Sequence, residues 1–142
     1  MNTRFIIQAI AILLMTPLFC LGQGKKTLAK NKVSSQTVYE YFIAEGMDEP
    51  VVEKREMYDT LGNRVELQEY NRDGVLKKWE RYEYNEDGDM IEEVSLDDKE
   101  HQVKRIVYVI EDGFLKEKQY FDRKDRMYKR KEYVYEYWGT DH

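Results

Sequence analysis

The sequence predicts an all-β protein, a single antiparallel meander of about eight strands forming a twisted, open, single-layer sheet. A closed up-and-down barrel is the alternative. Three observations carry this reading. Turn chemistry recurs at nearly constant spacing. The stretches between turns are rich in Tyr, Val, Ile and Trp, which suit a pleated surface. No stretch sustains the three- and four-residue apolar spacing that a helix requires.

The recurring unit is an aromatic or aliphatic residue followed by Asp or Asn, with glycine four positions after the first. It stands as YDTLG at 58, YNRDG at 70 and YNEDG at 84, and in weaker form as LDDKE at 96, VIEDG at 109 and FDRKD at 121. Successive starts are 12, 14, 12, 13 and 12 residues apart, and FIAEG at 42 is an earlier degenerate copy. Asn and Asp bond to backbone two residues on, and glycine supplies the positive φ of a tight reversal. Such regular punctuation marks a repeat.

Strands are therefore expected at 37–44, 50–58, 63–70, 75–84, 89–96, 102–110, 114–121 and 126–137, with RIVYVI and KEYVYEYW the strongest. Short links make consecutive strands antiparallel neighbours. A closed barrel would show apolar residues on one face only. Here Ile106, Tyr108 and Ile110 share one face while Val103, Val107 and Val109 share the other, which favours the open sheet.

YDTLGNRV, YNRDGVL and YNEDGDM resemble the tyrosine–aspartate repeats of the RHS type, in which each unit adds a β-hairpin. The layout as a whole is similar to a family of small exported Bacteroidetes proteins with degenerate repeats of this kind. The likeness covers residues 38–137. It implies architecture and supplies no catalytic residue. The units are too few to enclose a cavity, so toxin encapsulation is not implied.

The ends of the chain differ from the repeats. Residues 1–22 combine Arg4, an apolar run from Phe5 to Gly22 and small residues before Gln23, the pattern of a cleaved export signal. The run is short and broken by Pro17, which argues against a membrane span. Cleavage after Gly22 removes Cys20, the single cysteine, so no disulfide is expected and lipid anchoring at Cys20 is the lesser alternative. The expected location is periplasmic or extracellular. Residues 23–36 are polar and lysine-rich, the composition of a flexible leader ahead of a repeat domain at 37–138.

Loss of residues 1–22 takes the formal net charge from −5 to −6, a sign that argues against nucleic-acid binding. The charges are segregated. Residues 83–100 hold nine acidic groups and one lysine, whereas residues 115–131 hold eight Lys or Arg and three acidic groups. The favoured reading is mutual neutralisation across strands. The alternatives are head-to-tail association and an anionic ligand on the basic segment.

Catalytic chemistry finds little support. His101 and His142 are the only histidines, and Ser34, Ser35 and Ser95 lack a nucleophile-elbow context. Glu92 with Glu93, and Asp97 with Asp98, are adjacent pairs whose members point to opposite faces of a strand. EYNRDGVLKKWE (69–80) matches a calcium loop at Glu69, Asn71, Asp73, Gly74, Leu76 and Glu80. Its flanks are strand-like where that motif needs helices, so no metal and no cofactor is assigned.

The aromatics form the candidate site. Trp79, Tyr82 and Tyr84 lie on one predicted strand, and Tyr133, Tyr135 and Tyr137 share one face of the last, beside Trp138. Tyr and Trp combine large apolar area with a polar tip, which suits a protein or glycan surface. The expected function is non-enzymatic binding or structural association through these faces or through sheet edges, self-association included. The alternatives are an inhibitor or immunity partner of an exported toxin, and a small carboxylate-based envelope hydrolase.

Overall fold

The backbone reverses where the Asx and glycine punctuation falls. The computed structural model describes residues 24–46 and 49–139. The expected export signal at 1–22, with Cys20, and the terminal His142 lie outside the described residues. A short helix α1 (Lys25–Lys30) leads into β1 (Ser35–Glu40), and a 3₁₀ turn (Ile43–Glu45) precedes β2 (Val51–Tyr58). Then follow β3 (Arg64–Tyr70), β4 (Leu76–Tyr84), β5 (Met90–Leu96), β6 (Gln102–Glu111), β7 (Phe114–Phe121) and β8 (Met127–Glu132). The eight strands form one antiparallel sheet in chain order, so β1 and β8 are unpaired edges and no barrel closes.

One turn design is repeated along the sheet. Asp59 Oδ1 accepts from the Leu61 and Asn63 backbone N–H groups, and Asn71 Oδ1 accepts from those of Asp73 and Val75. Asn85 repeats the bond from the residue four positions on, and Asp97 and Asp122 repeat both. The fourth residue of each turn adopts positive φ, Gly62, Gly74 and Gly88 in the first three and Glu100 (φ 67°) and Asp125 (φ 57°) in the other two. VIEDG departs from the design, because β6 and β7 are joined by Asp112 and Gly113, both at positive φ, which is the tight Asp-Gly hairpin.

The aromatic or aliphatic residue before each Asx marks a register irregularity. Pairing shifts between Met57 and Tyr58, Glu69 and Tyr70, Glu83 and Tyr84, Ser95 and Leu96, and Tyr120 and Phe121. Each bulge adds local right-handed twist, which turns the sheet away from flatness.

Burial is concentrated on one face. Cross-strand pairs Glu56↔Leu67, Leu67↔Glu80, Tyr82↔Glu93 and Glu93↔Ile106 place Leu67, Tyr82 and Ile106 on a common side, and these are three of the four buried apolar residues. With no second layer, cover comes from the stems of long neighbours on that side, Lys54, Glu56, Lys78 and Glu80 among them.

The fourth buried apolar residue, Leu28, lies where the composition predicts a flexible leader. Residues 25–30 are helical, and β1 begins at Ser35, inside the same 23–36 stretch. The helix lies against the β2–β3 turn so closely that a Cβ on Gly62 would fall 2.3 Å from the Lys25 carbonyl oxygen. Lys25 reaches on to the β4–β5 turn, its Nζ 3.1 Å from where a Gly88 Cβ would lie. A single apolar side chain at the right place makes this contact, and no periodic pattern announces it.

The turn carboxylates predict a stability that falls in acid. Arg126 and backbone N–H groups hold Asp122 down at about 2. The His101 N–H group lowers Asp97 most, joined by the Lys99 N–H group, His101 and Arg123 against an opposing burial effect. A carboxylate lowered in the folded state adds stability above its unfolded pKa, near 3.9, and that contribution is lost as pH falls toward the folded value. Asn occupies the equivalent position at 71 and 85. Asp97→Asn with Asp122→Asn is therefore expected to keep both turns and flatten the fall in the urea midpoint between about pH 4 and pH 2. An unchanged acid limb would assign it elsewhere.

Candidate binding surface

The structure divides the six candidate aromatics. Trp79 pairs with Gln68 and Tyr82 with Glu93, and their odd sequence separation puts them on opposite faces of β4. The aromatics of β4 are thus shared between the two faces of the sheet.

Tyr82 belongs to the buried face and is only 7 % exposed. Its hydroxyl donates to Glu80 at 2.5 Å, and the Arg64 guanidinium lies over its ring, 5.1 Å from the centroid. Arg64 also donates to Glu56 Oε1 at 2.8 Å, while Tyr58 donates to Glu56 Oε2 at 3.1 Å. Burial alone would raise Glu56, but Arg64, Lys54 and Tyr58 together lower it. Burial and the neighbouring Glu56 push the Tyr58 hydroxyl up to about 12. Tyr84 donates to the Arg64 carbonyl oxygen at 3.0 Å. Tyr82 and Tyr84 are thus committed to internal bonds within β4 and to β3, and Arg64 carries the link on to Glu56 of β2.

Trp79 is half-buried on the other face, where Nε1 donates to Glu66 at 3.0 Å and Arg81 lies 5.3 Å from its ring centroid. Arg81 bridges Glu66 and Glu100, and Arg105 repeats the scheme two strands on, bridging Glu92 and Asp125 over the Phe121 ring. The left-handed turn residues Glu100 and Asp125 are those bridging partners. Glycine's place in the turn is taken by a side chain with a contact of its own.

Tyr133, Tyr135 and Tyr137 follow β8 and do not lie within it, because β8 ends at Glu132 and not at 137. Tyr133 still donates its backbone N–H to the Lys116 carbonyl oxygen at 2.9 Å. Tyr135 and Tyr137 close on Phe114, with ring centroids 5.1 and 6.2 Å away, and the Tyr135 hydroxyl donates to the Leu115 carbonyl oxygen at 2.7 Å. Phe114 is absent from the sequence-based site, since its place beside a two-residue turn gives no hint of partners twenty residues on. This cluster borders an open depression of about 450 Å³ with Glu117, Glu132 and Tyr133 in its wall. Tyr137 is 60 % exposed and Trp138 wholly so.

Residues weighed for chemistry have other engagements. Glu92 pairs with Arg105, and Glu93 accepts from the Tyr108 hydroxyl, on opposite faces as expected. Asp97 caps its turn and sits 3.5 Å from His101 Nδ1. In the calcium-like segment, the Asn71 side-chain oxygen serves two backbone N–H groups and Glu80 takes Lys78 and Tyr82. Among the described residues, no group of three or more His, Cys, Asp or Glu converges as a metal site.

No helix among the described residues is long and apolar enough to cross a membrane. No protein-family model matches the chain, and a search of curated proteins found no match.

Proposed function

We propose that this chain is an exported, non-enzymatic binding protein built from YD-like hairpin repeats, and that it takes an extended partner at the β8 margin. The observation that carries the reading is the exposed Phe114, Tyr135 and Tyr137 cluster beside an unpaired edge strand. Free N–H and C=O groups on such an edge supply main-chain affinity, and neighbouring aromatics supply selectivity. A partner adding there has no second layer to displace.

Tyr133 donates inward to β7, so by alternation the Arg130 N–H points outward. Arg130→Pro removes an outward donor while sparing the β7–β8 ladder, a substitution that edge strands tolerate. Both Arg130→Pro and the Tyr135→Ser, Tyr137→Ser double variant are expected to lose partners captured by the wild-type chain from the exported fraction, with β-sheet circular dichroism unchanged. Equal capture by both variants would remove this reading.

A carboxylate-based hydrolase is the second reading, because Glu117 and Glu132 face each other across β7 and β8 at the depression. Glu117 is held by Gln119 at 2.9 Å, with Arg130 3.6 Å away. That reading requires envelope-polymer cleavage that Glu132→Gln abolishes.

A further inference from the structure

The basic segment at the end of the sheet is sorted by face. Lys118 stands directly opposite Lys131 on β8, and on its other side pairs with Tyr108 on β6. Lys129 stands opposite Tyr120, which in turn pairs with Ile106. Alternation places Lys104 on this side too, next to Ile106. The carboxylates of the same two strands, Glu117 and Glu132, are paired with each other on the reverse side.

Neutralisation across strands therefore accounts for only part of the charge. Arginines achieve it, Arg105 with Glu92 and Asp125, Arg123 with Asp97, and Arg130 with Glu117. Among the described residues, no carboxylate oxygen lies within 4.0 Å of the Lys118, Lys129 or Lys131 ammonium. Two of them rest on tyrosine rings, Lys118 4.9 Å from the Tyr108 centroid and Lys129 5.1 Å from that of Tyr120. Like charges directly opposite on a sheet are destabilising. The acidic residues of these two strands, Glu117 and Glu132, sit on the reverse face, where neither meets Lys118 or Lys131.

We infer that this face binds a linear acidic polysaccharide, one carrying a carboxylate on each sugar unit. The inference rests on the binding reading above and names a ligand class for the neighbouring face. Lys118 and Lys131 are separated by one strand spacing, about 5 Å, and Lys129 and Lys131 by one side-chain repeat, about 7 Å. Such a regular lattice of ammonium groups fits a repeating polyanion. The Tyr108 and Tyr120 rings each carry an ammonium group. The lattice covers three strands, beyond which Glu93 and Glu80 carry the opposite sign on the same face. That boundary restricts the ligand to a narrow single chain.

The test compares the full chain with Lys118→Gln, Lys131→Gln and with Lys131→Glu, using polygalacturonate as probe. Neutral dextran, single-stranded DNA and vesicles containing anionic phospholipid are the other arms. Wild type is expected to bind polygalacturonate in a salt-sensitive manner and to ignore dextran. The double variant should bind about tenfold more weakly, the scale expected when two solvent-exposed ion pairs with the ligand are removed together. Lys131→Glu should raise the melting temperature by giving Lys118 a partner, and weaken binding at the same time. Opposite movements of stability and affinity separate a ligand face from a merely structural one. No binding to polygalacturonate, equal binding by the variants, or stronger binding to DNA or vesicles would overturn the inference. Partner capture at the tyrosine cluster would stand or fall separately.

Discussion

Gly62→Ala is expected to destabilise the chain by about 2–4 kcal/mol, the sum of a left-handed backbone penalty and the undocking of α1. At φ 77° a side chain is strained in any surroundings. Here the new methyl group would also meet the Lys25 carbonyl oxygen at 2.3 Å and the Ala29 nitrogen at 3.1 Å, both backbone atoms that no rotamer change moves aside. The helix must lift, which uncovers Leu28. A six-residue helix has no stability of its own once released. Gly74 provides the control. It occupies the same turn position at φ 74° with nothing within 4 Å, so Gly74→Ala should cost only about 1 kcal/mol. Urea unfolding measures both, and tryptic cleavage at Lys25–Lys32 should accelerate in Gly62→Ala alone. Equal destabilisation of the two variants would mean that α1 contributes nothing.

Leu67→Ala should cost about 2–3 kcal/mol, toward the lower end for a buried leucine because an open layer collapses more readily than an enclosed core. Leu67 is 2 % exposed, the most buried of the core residues, and lies on β3 between Glu56 and Glu80. Truncation removes apolar cover from beside the Glu56, Arg64 and Tyr82 network and admits water to its charges. Val103→Ala, on a residue 40 % exposed, should stay within about 0.5 kcal/mol. If the two substitutions cost the same, burial on this face does not hold the sheet together, and the backbone ladders do.

The strand layout was legible because its signal is chemical and local. An Asx side chain and a residue tolerant of positive φ are needed at fixed places in each turn, so they recur in the sequence. The signal survives even where glycine is missing, since Glu100 and Asp125 adopt the left-handed conformation and bridge to Arg81 and Arg105. The helix at Lys25–Lys30 was not legible. It exists through one leucine and one close backbone approach, neither of which leaves a periodic trace. The candidate surface was legible in part. That Trp79 and Tyr82 oppose each other follows from alternation alone, a difference of three in residue number, and composition hides it. Membership of Phe114 in the tyrosine cluster depends on how the segment after β8 leaves the sheet, which turn chemistry does not specify. The lysine lattice lay within the segregated charge, but its sorting by face required the register, because bulges near the turns disturb any count along the strands.

Every ladder in the sheet joins segments that are also consecutive in the chain. Assembly accordingly needs only short loop closures, and each hairpin offers the next a template as soon as it has formed. Growth of this kind proceeds like a zip, with little waiting for distant segments to meet. Under tension the same arrangement should come apart from its margins, ribbon by ribbon, in small force steps and without one abrupt rupture.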